Sequence, residues 1–319
     1  MGHVTSGMNW SEQRVLLTGG SGFLGHFLRE RLAAESPQCL LAPTSADLDL
    51  RQPTAVRAYL EQHRPTVVVH AAAVVGGIGA NRRHPGRFFY ENAVMGIHLI
   101  EEARRAGVTK FVCLGTVCAY PKLTAVPFRE EDLWAGYPEE TNAPYGIAKK
   151  ALLVQLQSYR AEYDFNGIFL LLVNLYGPGD DFDLDAGHVI PAMIRKFVEA
   201  RERGDSTVSL WGDGSPTREF LFAGDAAEGI VRAAARYDGA APVNLGSGND
   251  ISIADLADKI SALVGYRGEV VWDASKPNGQ PKRRLDVSAA EAGFGFRSTT
   301  SFDAGLRATI DWYLAHRAR

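Results

Sequence analysis

The chain has 319 residues, of which 46% are hydrophobic and 22% are charged. This composition is typical of a globular protein with room for a large core, and it excludes an intrinsically disordered chain. With 34 basic and 37 acidic residues the formal net charge is −3, and no block of like charge occurs. A nucleic-acid partner is therefore not predicted.

Nothing in the sequence predicts a membrane span or an export signal. The longest apolar runs, such as residues 168–173, are far shorter than the roughly 20 residues that cross a bilayer. Residues 1–13 contain no basic flank followed by an apolar stretch, so we expect a cytoplasmic protein. The three cysteines, Cys39, Cys113 and Cys118, are expected to be reduced, and no metal site is expected because no histidine pair has zinc-ligand spacing.

Short apolar runs alternate with helical patterns along the first half of the chain. The runs predict strands at residues 14–18, 39–42, 67–73, 111–114 and 168–173, and the intervening patterns predict helices at 23–32, 53–63 and 89–106. Continuous apolar strands between helices indicate a parallel sheet that is covered on both faces. We therefore expect an α/β protein with a Rossmann-type doubly wound parallel sheet and a smaller C-terminal α/β substrate-binding portion.

The character of the sequence changes after Tyr176, where glycine, proline and aspartate cluster. We predict an N-terminal tail at residues 1–12, a dinucleotide-binding domain at 13–176 and a substrate-binding domain at 177–319. Within the last, residues 220–247 are expected to return to the first domain through a helix and a short strand.

A glycine-rich segment follows the first predicted strand. Gly19, Gly22 and Gly25 lie three residues apart between that strand and the following helix, with Ser21, Phe23 and Leu24 beside them. Glycine at these positions permits a tight turn and a close approach of the backbone to a pyrophosphate at the helix N-terminus. The spacing alone would also fit an ordinary loop, but the flanking strand and helix favour dinucleotide binding.

Tyr145 is the one tyrosine of the chain that has a lysine four residues later, Lys149. On a helix this spacing places both side chains on one face. A nearby ammonium group favours the phenolate, so we expect Lys149 to lower the pKa of Tyr145 and to suit it as a proton donor. The alternative is an ordinary surface pair.

These features together resemble a known family. Residues 18–25, the Tyr145 and Lys149 pair, and Thr116 after the fourth predicted strand resemble the extended short-chain dehydrogenases/reductases of the NAD-dependent epimerase/dehydratase family. Longer strings narrow the resemblance to the GDP-L-fucose synthase family, over about residues 14–286. These strings lie at residues 71–81, 114–122, 174–178, 188–191, 211–220 and 276–281.

The resemblance implies roles for individual residues. Tyr145 would be the general acid, Lys149 would bind the nicotinamide ribose, and Thr116, where serine is common in that family, would hold the substrate oxygen. Cys118 and His188 fall where the family has its epimerisation acid and base, although a packed thiol and a surface histidine are the alternatives. The substrate-binding positions are Asn174, His188, Trp211, Arg218, Lys276 and Arg283.

The cofactor implied by the resemblance is NADPH, with NAD as the alternative. No acidic residue follows the second predicted strand to bind a ribose 2′-hydroxyl, which disfavours NAD. The family's arginines for the 2′-phosphate are replaced here by Ser21 and residues 43–45, so Ser45 is the candidate contact. The cofactor-binding set is Gly19, Ser21, Gly22, Phe23, Leu24, Gly25, Ser45, Ala72 and Lys149.

The implied reaction is 3,5-epimerisation followed by NADPH-dependent 4-keto reduction of a nucleotide 4-keto-6-deoxyhexose. In the resembled family this converts GDP-4-keto-6-deoxy-D-mannose to GDP-L-fucose, and the enzyme is expected to be a homodimer. Two alternatives remain, a reductase or epimerase of a different nucleotide sugar and a non-catalytic dinucleotide sensor with the same fold. A sensor would be expected to lack the tyrosine or its lysine, and both are present.

Overall fold

The computed structural model describes residues 7–184, 187–275 and 280–317. The strands are β1 Arg14–Thr18, β2 Cys39–Leu41, β3 Val67–His70, β4 Lys110–Thr116, β5 Gly167–Leu172, β6 Asn174–Tyr176, β7 Thr207–Trp211, β8 Thr217–Phe222, β9 Val243–Leu245, β10 Asp250–Ser252, β11 Glu269–Asp273 and β12 Lys282–Arg283. The helices are α1 Phe23–Ala34, α2 Pro53–His63, α3 Ile78–Arg83, α4 Pro85–Arg105, α5 Ala143–Tyr163, α6 Val189–Arg203, α7 Ala223–Arg236, α8 Ile253–Val264, α9 Ser288–Phe294 and α10 Phe302–His316.

The main sheet has the strand order β2-β1-β3-β4-β5-β9, and every neighbouring pair is parallel. Strands β3, β4 and β5 are buried along their whole length, which explains their continuous apolar sequences. Helices pack on the sheet in the manner of a doubly wound α/β fold, which confirms the predicted fold class. The last strand of this sheet, β9, comes from late in the chain.

Two of the predicted boundaries differ from the observed ones by three or four residues. The third strand was expected at residues 67–73, but it ends at His70, because Ala71 and the residues after it leave the sheet and line a cleft. The helix expected at 89–106 begins earlier, at Pro85, a residue whose fixed φ suits the first turn of a helix. Both differences lie at the edge of the sheet where the strands end.

The second half of the chain builds smaller sheets over a separate core. Strand β8 pairs with β10, β12 and β6, and β7 pairs with β11. Apolar residues of α6, α8 and α10 form a core cluster distinct from that of the main sheet. Aromatic contacts such as Phe27 with Phe222, whose ring centroids are 5.8 Å apart, join the two regions.

None of the helices in the described ranges has the length and apolar content that a bilayer crossing requires. All three cysteines are free thiols, of which Cys113 is buried within β4.

Gly115, near the end of β4, packs closely against the neighbouring strand β5. Replacing it tests how much space the interior of the sheet leaves. A Cβ atom at Gly115 would lie 2.2 Å from Cε1 of Phe169 and 3.2 Å from the carbonyl oxygen of Leu170. Because the interior leaves no room for this methyl group, Gly115→Ala is expected to lower the free energy of unfolding by about 1–3 kcal/mol. Denaturant unfolding measures the change.

The matched control is Gly86→Ala in the first turn of α4, where a new Cβ would meet nothing within 4 Å. That variant is expected to keep or slightly raise the stability, since alanine favours helix over glycine. Equal stability of the two variants would show that Phe169 moves aside without cost.

Candidate active site

A cleft of about 1160 Å³ lies along the carboxyl ends of the main-sheet strands and reaches the β8 and β12 region. This edge is where open parallel α/β sheets bind ligands. Almost all of the candidate residues line the cleft. These are Gly19, Ser21, Gly22, Phe23, Leu24, Gly25, Ser45, Ala72, Thr116, Cys118, Tyr145, Lys149, Asn174, His188, Trp211, Arg218 and Arg283. The remaining candidate, Lys276, lies outside the described residues.

At two positions of the glycine turn after β1, Gly19 and Gly25, there is no room for a side chain. Gly19 has φ +76°, and a Cβ there would lie 2.6 Å from the backbone nitrogen of Ala72. A Cβ at Gly25 would lie 2.0 Å from the carbonyl oxygen of Gly19. Helix α1 starts at Phe23 with Gly22 as its N-cap and no side-chain cap, so its first N–H groups face the cleft. This cradle fits the pyrophosphate of a dinucleotide.

The far end of the cleft is formed by the loop after β2. Thr44 is held by Asp47, which accepts hydrogen bonds from its backbone N–H at 3.0 Å and its hydroxyl at 2.7 Å, and Ser45 lines the cleft beside it. Asp49 and Arg51 also line this end and form an ion pair at 2.8 Å. Our sequence prediction missed Asp49 and Arg51, because they follow a loop that carries no recognisable motif.

Tyr145 and Lys149 lie in the first turns of α5, on the face that lines the cleft. The Lys149 Nζ is 6.0 Å from the centre of the Tyr145 ring, and Lys149 is almost fully buried. Burial raises the pKa of Tyr145 above its usual value, the Cys118 and Cys113 thiols add to the rise, and a hydrogen bond with Thr116 opposes it. Burial also lowers the pKa of Lys149.

The prediction that Lys149 lowers the pKa of Tyr145 is therefore wrong for this structure. The helical spacing correctly placed the two groups on one face, but it gave no measure of how deeply they are buried. Removing a phenolate from water costs more than a distant ammonium group returns. Tyr145 is thus held as the protonated phenol, which is the form that donates a proton.

Neutral groups lie beneath this pair. His70 at the end of β3 is fully buried, its Nδ1 is 2.8 Å from the Thr18 hydroxyl, and burial together with Lys149 lowers its pKa to about 3. Cys113 is also buried, and burial raises the pKa of its thiol to about 11. His70 was not predicted from the sequence, because a histidine in an apolar strand carries no motif.

Cys118 lies in a 3₁₀ turn, Val117–Ala119, directly after β4. Its backbone N–H donates to the Thr116 hydroxyl at 3.2 Å, which fixes the turn. Helix α5 approaches this turn so closely that a Cβ at Gly146 would lie 2.5 Å from the carbonyl oxygen of Cys118. Glycine at 146 therefore lets Tyr145 and Cys118 share one side of the cleft.

His188 caps the start of α6 and lies beside a buried carboxylate. Its Nδ1 is 3.4 Å from Oδ1 of Asp180, whose side chain is 2% exposed against 44% for His188. The hydrogen bond with Asp180 raises the pKa of His188 above its usual value, while burial opposes the rise. His188 consequently stays protonated to a higher pH than a free imidazole. Asp180 was missed in the sequence, because nothing there indicates that it faces His188.

The β8 and β12 strands bring two arginines to the cleft. Arg218 and Arg283 are partners in the parallel register of these strands, and Arg283 is 8% exposed. Burial lowers the pKa of Arg218 to about 10, and repulsion from Arg283 adds to the effect. Nearby, Trp211 is 61% exposed, and Asn174 donates to the backbone carbonyl of Glu219 at 3.1 Å. This end of the cleft is suited to an anion such as a diphosphate.

Among the described residues, no group of three or more histidine, cysteine or acidic side chains is arranged to hold a metal ion.

Comparison with known proteins places this arrangement in a family. Residues 15–246 match the model of the NAD dependent epimerase/dehydratase family. The chain is 39% identical over 306 residues to the GDP-L-fucose synthase of Sinorhizobium fredii, covering 96% of this chain and 97% of the relative.

Solved structures agree with this result. A GDP-L-fucose synthetase from Naegleria fowleri bound to NADP is 27% identical, with a TM-score of 0.87 over 98% of this chain and 97% of that one. A GDP-6-OMe-4-keto-L-xylo-heptose reductase from C. jejuni is 26% identical, with a TM-score of 0.90 over 98% of this chain and 100% of that one. The chain belongs to the NAD-dependent epimerase/dehydratase family.

Proposed function

We propose that this enzyme is a 3,5-epimerase and NADPH-dependent 4-ketoreductase of a GDP-linked 4-keto-6-deoxyhexose, and that it converts GDP-4-keto-6-deoxy-D-mannose to GDP-L-fucose. The observation that carries the proposal is one continuous cleft that holds the glycine turn, Tyr145, Cys118 and His188 together. The 39% identity to a GDP-L-fucose synthase supports the choice of substrate.

NADPH would be held by the glycine turn, by Ala72 and by Lys149, and it would supply the hydride that reduces the C4 ketone. The open N-terminus of α1 and the close approach of Gly19 to Ala72 support this placement. Ser21 and Ser45 are the candidate partners of the 2′-phosphate, and both line the cleft. The NADP-bound Naegleria fowleri structure supports NADPH over NAD.

At C4, Tyr145 would donate its proton to the oxygen as the ketone is reduced. The raised pKa of Tyr145 keeps the proton on the phenol, and the Thr116 hydroxyl, which hydrogen bonds with Tyr145, would orient the same oxygen. Lys149 would bind the nicotinamide ribose at the base of the cleft, where it is buried.

At C3 and C5, the neighbouring ketone acidifies the protons that epimerisation moves. We assign Cys118 as the base and His188 as the acid, because Arg283 lies beside the Cys118 thiol and Asp180 beside the His188 imidazole. A cation near a thiol favours its thiolate, and a carboxylate near an imidazole favours its imidazolium.

The nucleotide end of the substrate would lie against β8 and β12. The forked donors of Arg218 suit the diphosphate, and the exposed indole of Trp211 has the size to cover the ribose or the base. The proposed substrate-binding set is completed by Asn174, Arg283 and Lys276.

A second candidate is a simple ketoreductase of a different GDP sugar, in which Cys118 and His188 do not transfer protons. The similarity to the C. jejuni GDP-keto-heptose reductase favours this alternative. The two functions differ in one observable, which is the exchange of substrate protons with solvent.

We also propose a cytoplasmic homodimer with the domain division described above. Free thiols support a reducing compartment. Large apolar side chains that lie exposed on α4 and α5 support a dimer contact formed by these helices. They are Phe89, Tyr90 and Ile97 on α4, and Val154 and Tyr163 on α5.

The direct test of the proposed function is NADPH oxidation with a panel of substrates. We expect oxidation with GDP-4-keto-6-deoxy-D-mannose and none with the free 4-keto-6-deoxy sugar, because the diphosphate contacts of Arg218 supply the binding energy. Absorbance of NADPH at fixed enzyme concentration measures the rate. Equal turnover of the free sugar would refute the proposed nucleotide end of the cleft.

Substitution of the proposed acid tests the reduction step. Tyr145→Phe is expected to lower kcat for reduction by at least about 10²-fold, the usual scale of general acid catalysis, while NADPH binding persists. Tyr137→Phe, at an exposed tyrosine outside the cleft, is the control and should retain the parental kcat. Near-parental activity of Tyr145→Phe would mean that the proton comes from another group.

Deuterium exchange separates the two half-reactions. In deuterated water without NADPH, the parent should place deuterium at C3 and C5 of the 4-keto sugar, as measured by mass spectrometry and NMR. Cys118→Ser should nearly abolish exchange, because the serine hydroxyl stays protonated near neutral pH. His188→Asn should allow only partial exchange. Cys39→Ser, which changes a thiol outside the cleft, is the control.

If the Cys118 and His188 variants exchange deuterium as fast as the parent, the epimerase assignment is wrong. The simple ketoreductase is then the function.

A further inference from the structure

One buried arginine contacts the proposed base of the epimerisation directly. The Arg283 Nη1 is 3.7 Å from the Sγ of Cys118, within hydrogen-bond distance for sulfur. The two residues are 165 positions apart in the chain, so this contact exists only in the folded protein. Arg283 is 8% exposed, and its guanidinium is largely removed from water.

The orientation of Arg283 is set by a second buried side chain. Gln280 accepts a hydrogen bond from the Arg283 Nε at 2.9 Å through its Oε1, and its Nε2 donates to the carbonyl oxygen of Lys122 at 2.9 Å. Lys122 lies on the segment that leaves the Cys118 turn. Gln280 therefore connects the arginine to the backbone that carries the thiol, and it limits their relative movement.

Three elements bring charged or titratable groups to Cys118. Arg283 on β12 contacts the thiol, Arg218 on β8 interacts with it electrostatically, and Tyr145 on α5 faces it as a neutral phenol. The two arginines are paired in register on neighbouring strands, so they repel each other. An anion beside the two arginines relieves their repulsion, and the thiolate form of Cys118 would be such an anion.

We propose that Arg283 is a positioning residue for proton transfer at carbon, which donates a hydrogen bond to Cys118 and holds it as the thiolate, and that Gln280 keeps Arg283 in this orientation. The inference rests on the proposed function, in which Cys118 removes the proton. In that step the substrate C–H bond breaks, an S–H bond forms, and the electron pair moves into the enolate of the neighbouring ketone. Arg283 thus does more than bind the diphosphate, the role that the family resemblance implies.

The test measures the pH dependence of Cys118 alkylation by iodoacetamide, without substrate, in the full-length protein. Only the thiolate reacts, so the pH at half-maximal rate reports its population. Peptide mass spectrometry separates the Cys118 signal from those of Cys39 and Cys113. Arg283→Gln should move the half-maximal pH upward by about 1 unit or more, the usual effect of losing a close opposite charge.

Three further variants make the test specific. Arg283→Lys keeps the charge and should restore most of the parental curve. Gln280→Ala keeps Arg283 but removes its anchor, so it should give a smaller upward shift. Arg284→Gln is the matched control, because Arg284 points to Asp250 at 3.7 Å and does not line the cleft. Its curve should coincide with that of the parent. If Arg283→Gln does not fold, Arg283→Lys and Gln280→Ala still decide the outcome. The half-maximal pH of alkylation should then be higher for Gln280→Ala than for the parent, with Arg283→Lys close to the parent.

The proposal is overturned if folded Arg283→Gln, or Gln280→Ala in its absence, alkylates with the parental curve. Arg283 would then serve only the diphosphate, and its loss would raise KM for the nucleotide sugar without moving the thiol curve. The proposed function fails by a different result, namely undiminished deuterium exchange in Cys118→Ser. The two failures are therefore distinguishable.

Discussion

The buried carboxylate of Glu219 holds together the part of the cleft that contains Arg218 and Arg283. Glu219 is fully buried on β8 and accepts backbone hydrogen bonds from Leu285 at 2.6 Å and Gly248 at 2.7 Å. Burial raises its pKa, and these hydrogen bonds oppose the rise. Because it ties β8 to the segment after β12, it keeps Arg218 and Arg283 in register opposite Cys118. A buried acceptor of this kind is costly to lose, since both N–H groups would be left without partners.

The environment of each acid or base in the cleft fits a different protonation state. Burial raises the pKa of Tyr145 and so favours the phenol, whereas the hydrogen bond with Asp180 raises the pKa of His188. Cys118 lies beside a guanidinium group that stabilises negative charge. With the roles proposed above, the cleft would contain two proton donors and one proton acceptor, as epimerisation followed by reduction requires.

Local sequence patterns were enough to predict much of the fold and part of the candidate site. The glycine turn and the Tyr145 and Lys149 pair were visible because their members are close in sequence and the regular geometry of a strand or helix orders them. Asp180 and Gln280 were not visible, because their importance depends on contacts between segments that only the fold brings together. The predicted direction of the Tyr145 pKa shift was wrong for the same reason. Sequence spacing predicts which side chains are neighbours on a helix or strand. Burial, which depends on the whole fold, decides which charge state of each group is stable.

The placement of β9 has a consequence for how the chain is made. Residues 243–245 add the last strand of the main sheet by pairing with residues 170–172 of β5, yet they are synthesised long after the other strands of that sheet. A chain that emerges from the ribosome exposes the unpaired edge of β5 until residue 245 has left the exit tunnel. Open strand edges are templates for pairing with other chains. In the finished sheet the three residues of β9 replace the six-residue strand β5 at this edge, and a strand this short offers a second chain little backbone to pair with.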